Sequence, residues 1–137
     1  MSGLLLLDVN ALVALGWEQH EHHAAVLGRL HVRQAWASCA ITQLGFIRIS
    51  SIPGLFHVSL TPAQAADVLA GLLADAQHRV LPDIPAVSSV DWAQVSSSKH
   101  TTDAYLVVLA NASEAHLLTL DRQLAARYPD RVELLRP

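Results

Sequence analysis

Leu4–Leu7 is an unbroken apolar run that stops at Asp8, and Leu117–Leu120, interrupted only by Thr119, stops at Asp121. A run without polar alternation reads as a strand buried on both faces, which calls for a parallel sheet covered by helices on each side. Parallel strands place their carboxyl ends on one edge, where an open α/β sheet gathers its ligands. Asp8 and Asp121 should therefore share that edge, on neighbouring strands at the sheet centre. Asp103, after Thr101–Thr102, is read as a third acid where a strand gives way to a helix.

The rest of the chain fits that frame. Asn10–Leu15 and Glu21–Leu30 read as helices separated at Gly16–Trp17, Ala35–Ser38 as a second strand, and Ala40–Ile49 as a helix. In that last helix Ile41, Leu44, Ile47 and Phe46 stand at helical spacing. Residues 51–60 contain Pro53–Gly54 and read as a loop. Thr61–Pro62–Ala63–Gln64 carries a cap, a first-turn proline and a reciprocal Gln, starting a helix to about Ala76 with Ala66, Leu69, Leu72 and Leu73 buried. Arg79–Leu81, ended by Pro82, is a short strand. Ser88–Val95 is a short helix with Trp92 inward, and Ser96–His100 a polar loop. Thr102–Ala112 is an apolar helix, His116–Leu120 a strand, Arg122–Ala126 a short helix, and Val132–Leu135 a closing strand. Alternating strands and helices give a three-layer α/β/α domain with a central parallel sheet of about five strands, spanning residues 1–137.

Composition narrows the class. With 52% apolar and 15% charged residues, much of the surface must be interior or face a partner. The net charge of −3 argues against holding nucleic acid by phosphate neutralisation alone. The eight histidines make that charge sensitive to pH, because protonating them all would reverse its sign. Cys39 is the only cysteine, which suits a reducing cytoplasm. The opening Met-Ser-Gly-Leu-Leu-Leu-Leu lacks a basic segment and reaches Asp8 too early for a signal peptide. No apolar stretch approaches the roughly 20 residues that span a bilayer.

Each aspartate alone is adequately explained as a helix cap, an acid there being favoured by roughly 0.3–1 kcal/mol. Three together favour a shared site. Two carboxylates about 4 Å apart repel by around 4 kcal/mol at an effective dielectric near 20. Such a group must take up protons or bind cations. Oxygen ligands without neighbouring Cys or His favour Mg2+ or Mn2+ over Zn2+. Hard cations held this way bind phosphates and activate water, which points to phosphodiester hydrolysis.

Four segments then become informative together: Leu5-Leu6-Leu7-Asp8-Val9-Asn10, Ile41-Thr42-Gln43-Leu44-Gly45-Phe46-Ile47-Arg48, Thr102-Asp103-Ala104-Tyr105, and Leu117-Leu118-Thr119-Leu120-Asp121. In this order they resemble PIN-domain ribonucleases, and most of all the VapC-type toxins of bacterial toxin–antitoxin pairs. The resemblance implies a cytoplasmic endoribonuclease dependent on Mg2+ or Mn2+, acting on RNA, restrained by a cognate VapB-type antitoxin and forming a homodimer. It implies that Asp8, Asp103 and Asp121 hold the metal, that Asn10 orients the first acid, and that Thr119 is a small hydroxyl residue near the site. Read from the residues alone, Asn10 could equally bond its own backbone at a helix start, and Thr119 is a satisfied strand hydroxyl.

Gln43 breaks the pattern, because the family usually has Glu there. Glutamine keeps the size and a carbonyl ligand but loses the charge and any role as a base. One alternative is therefore a weakened module that binds RNA or antitoxin without efficient cleavage. A phosphatase of the haloacid dehalogenase type is a more distant alternative, since its chemistry needs an acid where Asn10 stands.

Arg48, Lys99, His100 and Arg122 are candidate RNA contacts, each explained at least as well as a solvated surface group, and Arg48 and Arg122 better so. His20, His22 and His23 resemble a zinc set only superficially, lacking a third ligand at a predictable position. Trp17, Trp36 and Trp92 could stack bases, but their apolar neighbours favour core or interface roles.

Overall fold

The computed structural model describes residues 3–31, 33–81 and 85–136. Five strands, β1 (Leu4–Leu7), β2 (Trp36–Ser38), β3 (His78–Val80), β4 (Ala115–Thr119) and β5 (Val132–Leu134), form one sheet in the order β3-β2-β1-β4-β5. Every pairing is parallel. Leu4–Leu7 is buried throughout because it lies at the centre, with β2 on one side and β4 on the other. Its register against β4, from Leu4 opposite Ala115 to Leu7 opposite Leu118, brings Asp8 and the end of β4 to the same edge.

Alternation along β1 divides the core in two. Leu4 and Leu6 face a layer with Leu106, Leu109, Ala110 and Leu124. These come from α5 (Thr101–Ala112) and α6 (Arg122–Arg127). Leu5 and Leu7 face Leu12, Phe46 and Leu69 on the other side. There α1 (Val9–Gly16), α2 (His23–Leu30), α3 (Ala40–Ser50) and α4 (Pro62–Leu73) form the opposite layer. The three-layer α/β/α architecture read from the sequence is the architecture found.

Several local expectations need correction. On α3 the buried side is Thr42, Gly45, Phe46 and Ser50, and Leu44 is 65% exposed. A side chain at Gly45 would stand only 2.5 Å from Val9 Cγ2, so this glycine lets α3 press on the start of α1 and turns Leu44 outward. On α4 the cap and its reciprocal Gln64 bond form as expected. The helix buries Ala65 rather than Ala66 and stops at Leu73, where Asp75 accepts from the Gln77 amide and closes a turn. Ser88–Val95 forms two 3-10 turns, Val87–Ser89 and Trp92–Gln94, not one helix. Trp92 is 39% exposed because its indole N–H donates to the Val87 carbonyl, folding the ring back over the turn. Pro82, expected to end the third strand, lies outside the described residues.

Among the described residues, no helix is long and apolar enough to cross a membrane.

Candidate active site

Asp8 ends β1 and caps α1 in one residue, its extended backbone (φ −62°, ψ 161°) turning the chain into the helix. One carboxylate oxygen accepts from the Val9 amide at 2.8 Å and the other from the Thr119 hydroxyl at 2.7 Å. The residue is only 6% exposed. Burial raises its carboxyl from 3.8 to about 6, against the Thr119 hydrogen bond, and the charges of Asp103 and Asp121 push the same way.

Thr119 is the hub of this corner. Its hydroxyl donates to Asp8 and accepts from the Asn10 side-chain amide at 3.2 Å and from the Asp121 backbone N–H at 3.1 Å. Asn10 also accepts from the Leu120 amide at 3.1 Å. The Asn10 carboxamide thus bridges α1 to the end of β4 instead of bonding its own backbone, and the Thr119 hydroxyl is satisfied through Asp8. Asp121 caps α6, one oxygen accepting from the Gln123 and Leu124 amides at 2.9 and 3.2 Å.

Asp103 reaches the same edge by another route. It stands in the first turn of α5, preceded by a 3-10 turn at Ser98–His100, and no strand leads into it as the sequence had indicated. Its carboxyl is raised by partial burial and by the Asp121 charge, while Arg127 and His100 pull it down. Asp8, Asp103 and Asp121 are therefore within electrostatic reach of one another. Their side chains do not form a finished coordination shell. Among the described residues, no three His, Cys, Asp or Glu side chains stand ready to close on one ion. Both oxygens of Asp8 and one oxygen of Asp121 accept from hydroxyl and amide donors.

Gln43 approaches from α3, whose close packing of Gly45 against Val9 holds the helix at the start of α1. Its side-chain nitrogen donates to the Ser38 hydroxyl at 2.9 Å, at the carboxyl end of β2. The donors gathered at this edge are carboxylate and amide oxygens. Their chemistry fits a hard divalent cation: burial raises the Asp8 and Asp103 carboxyls first, and the neighbouring acids add to the rise a repulsion that a cation would relieve.

The remaining candidates separate. His100 lies beside Asp103 and near Arg127, whose guanidinium stands 3.4 Å from the imidazole. Lys99 is exposed on the same turn, and Arg48 is exposed on α3. Arg122 lines a cavity of about 480 Å³ with His22, Leu120, Leu134, Leu135 and Arg136. Arg127 escaped the sequence reading, since nothing in its spacing from Asp103 marks it. Ser38 and His78 also escaped it, because their link to Gln43 crosses three elements distant in the chain. His20, His22 and His23 serve local structure: His20 accepts from the His22 amide, and His23 bonds the Ala14 carbonyl. Trp36 is fully buried and offers no face to a base, and one face of Trp17 is taken by Phe56, with ring centres 4.0 Å apart.

Comparison with known proteins agrees with this fold. The family described as PIN domain matches residues 5–129. Ribonuclease VapC39 of Mycobacterium tuberculosis is 41% identical over 125 residues, covering 88% of this chain and 90% of that protein. Among solved structures, Mycobacterium tuberculosis VapC20, described as a sarcin-ricin loop cleaving toxin, superposes with a TM-score of 0.68 at 13% identity, covering 97% and 99% of the two chains. VapBC2 from Rickettsia felis, bound to a DNA fragment from its promoter, gives a TM-score of 0.63 at 16% identity, covering 94% and 96%. With residues 5–129 matched by the family model and relatives this similar over most of both chains, this chain belongs to the PIN-domain family and, within it, to the VapC proteins.

Proposed function

We propose that the protein is a metal-dependent endoribonuclease toxin, with Asp8, Asp103 and Asp121 holding Mg2+ or Mn2+. The observation that carries this reading is the buried Asp8 carboxylate, charged against two further acids at the sheet edge. A divalent cation there supplies neutralisation of the phosphate and activation of water. The chain's own residues arrange the rest. Thr119 and the Val9 amide fix both oxygens of Asp8. Asn10 holds Thr119 in place and ties it to the Leu120 amide. Gln43 offers a neutral carbonyl ligand, while His100, Lys99, Arg122 and Arg48 provide cationic or polar contacts for the RNA backbone. No side chain is assigned as general base, because Gln43 cannot take a proton and the aspartates are committed to the cation.

The VapBC2 neighbour supports a cognate antitoxin as the restraining partner. The exposed Leu44 and Trp92 provide apolar surface for a homodimer. Purified protein incubated with a structured RNA and Mn2+ tests the activity. Cleavage that disappears in Asp8→Asn supports the assignment, and cleavage unchanged in that variant rejects it.

Gln43 favours a second reading, a chain that binds RNA or antitoxin with little turnover. Specific RNA binding without cleavage, at any Mn2+ concentration, would select it.

A further inference from the structure

We propose that Ser38 and His78 are positioning residues for Gln43: a hydrogen-bond chain from β3 through β2 to α3 fixes which end of the Gln43 amide is free for a cation. This rests on the reading of Gln43 as part of the metal site.

The polarity of the chain follows from its far end. His78 Nδ1 lies 3.2 Å from the Leu73 carbonyl, which can only accept, so Nδ1 carries the proton. In the neutral ring Nε2 is then an acceptor, and the Ser38 hydroxyl 2.7 Å away must donate to it. With its only hydrogen used, Ser38 Oγ must accept from Gln43 at 2.9 Å, and only the amide nitrogen can give that bond. The Gln43 carbonyl is left as the end available to a cation. Partial burial of His78 disfavours its charged form, in keeping with the neutral ring.

The segment carrying His78 is itself fixed. Its ring packs on Trp36 with centres 4.5 Å apart, and the Trp36 indole donates to Asp75 at 2.9 Å. Trp36 and His78 are opposite in the β2–β3 register, so the sheet sets the distance between Ser38 and the imidazole. Asp75 is the charged group whose field reaches His78, and it is unchanged by substitutions at 38 or 43.

A glutamate at position 43 would invert the chain. A carboxylate only accepts, so the Ser38 hydroxyl would turn towards it and leave His78 Nε2 without a donor. The imidazole could then satisfy Ser38 only by becoming protonated. Gln43 and a neutral His78 therefore belong together, a coupling with no reason to exist if Ser38 were merely a buried strand residue.

The test combines histidine NMR with Mn2+ calorimetry on the intact chain. The His78 ring resonance, identified by its loss in His78→Gln, is followed through a pH titration. In Gln43→Glu its midpoint should rise by about one pH unit, and the rise should vanish when Ser38→Ala is added. Ser38→Ala alone should weaken Mn2+ binding about tenfold, Ser38→Thr should restore it, and Ser38→Ala should change nothing further in a Gln43→Ala background. An unmoved His78 midpoint in Gln43→Glu overturns the chain, whatever the metal does. A moved midpoint with Mn2+ affinity unchanged in Ser38→Ala overturns its positioning role. Failure of the native protein to bind Mn2+ would instead overturn the metal site, while the NMR arm still decides the hydrogen-bond chain.

Discussion

The hydroxyl of Thr119 donates to the buried carboxylate of Asp8 across 2.7 Å, so the residue closing β4 holds the acid closing β1. That bond unites 111 positions of sequence separation at the centre of the sheet. It also opposes the rise that burial imposes on the Asp8 carboxyl.

Thr119→Val should remove that donor, leave Asp8 less easily ionised, and cut RNA cleavage at neutral pH by roughly tenfold or more. Thr119→Ser should retain most of the rate. The rise of cleavage rate with pH should move upward in Thr119→Val and stay in place in Thr119→Ser.

Asp8 titrates near 6 when folded, against 3.8 ordinarily, so the folded state binds its proton more tightly. Its protonated form favours folding below about pH 4, and that advantage is lost as pH rises through 6. The loss amounts to roughly 3 kcal/mol at most, and Asp103 is shifted in the same direction. Metal-free protein melted by circular dichroism at pH 7.5 should therefore gain about 5–10 °C in Asp8→Asn, with little gain at pH 4. Mn2+ should stabilise the native protein at pH 7.5 far more than at pH 4.

Gly45→Ala places a methyl group 2.5 Å from Val9 Cγ2. The collision should cost about 1–3 kcal/mol in urea unfolding, and adding Val9→Ala should recover most of it. Equal stability of Gly45→Ala and the native chain would show that α3 is not pressed on α1 at this point.

Gln43→Glu adds a fourth acid to the proposed site. Mn2+ should bind more tightly and RNA cleavage should accelerate, both measured on purified protein. Equal affinity and equal rate would remove position 43 from the site.

The sheet was legible because Leu4–Leu7 and Leu117–Leu120 are apolar without alternation, a pattern that suits a parallel strand covered on both faces. Thr61 and Gln64 likewise announced α4, since a capping box is written within four residues. The cluster at the sheet edge was legible in part. Asp8 and Asp121 end adjacent strands, whereas Asp103 arrives through a 3-10 turn that local sequence does not distinguish from a strand end. Leu44 misled because helical spacing shows that a stripe exists but not which side meets the core, a choice made here by the contact of Gly45 with Val9. Ser38, His78 and Arg127 stayed invisible because their partners are set by sheet register and helix packing.

Mn2+ binding to the native protein and to Asp8→Asn, Asp103→Asn and Asp121→Asn, followed by calorimetry at pH 7.5, tests the shared acidic site most directly. Each single substitution should weaken binding at least tenfold and abolish RNA cleavage. Native-like Mn2+ affinity in any one of the three would contradict a cation held jointly by these carboxylates.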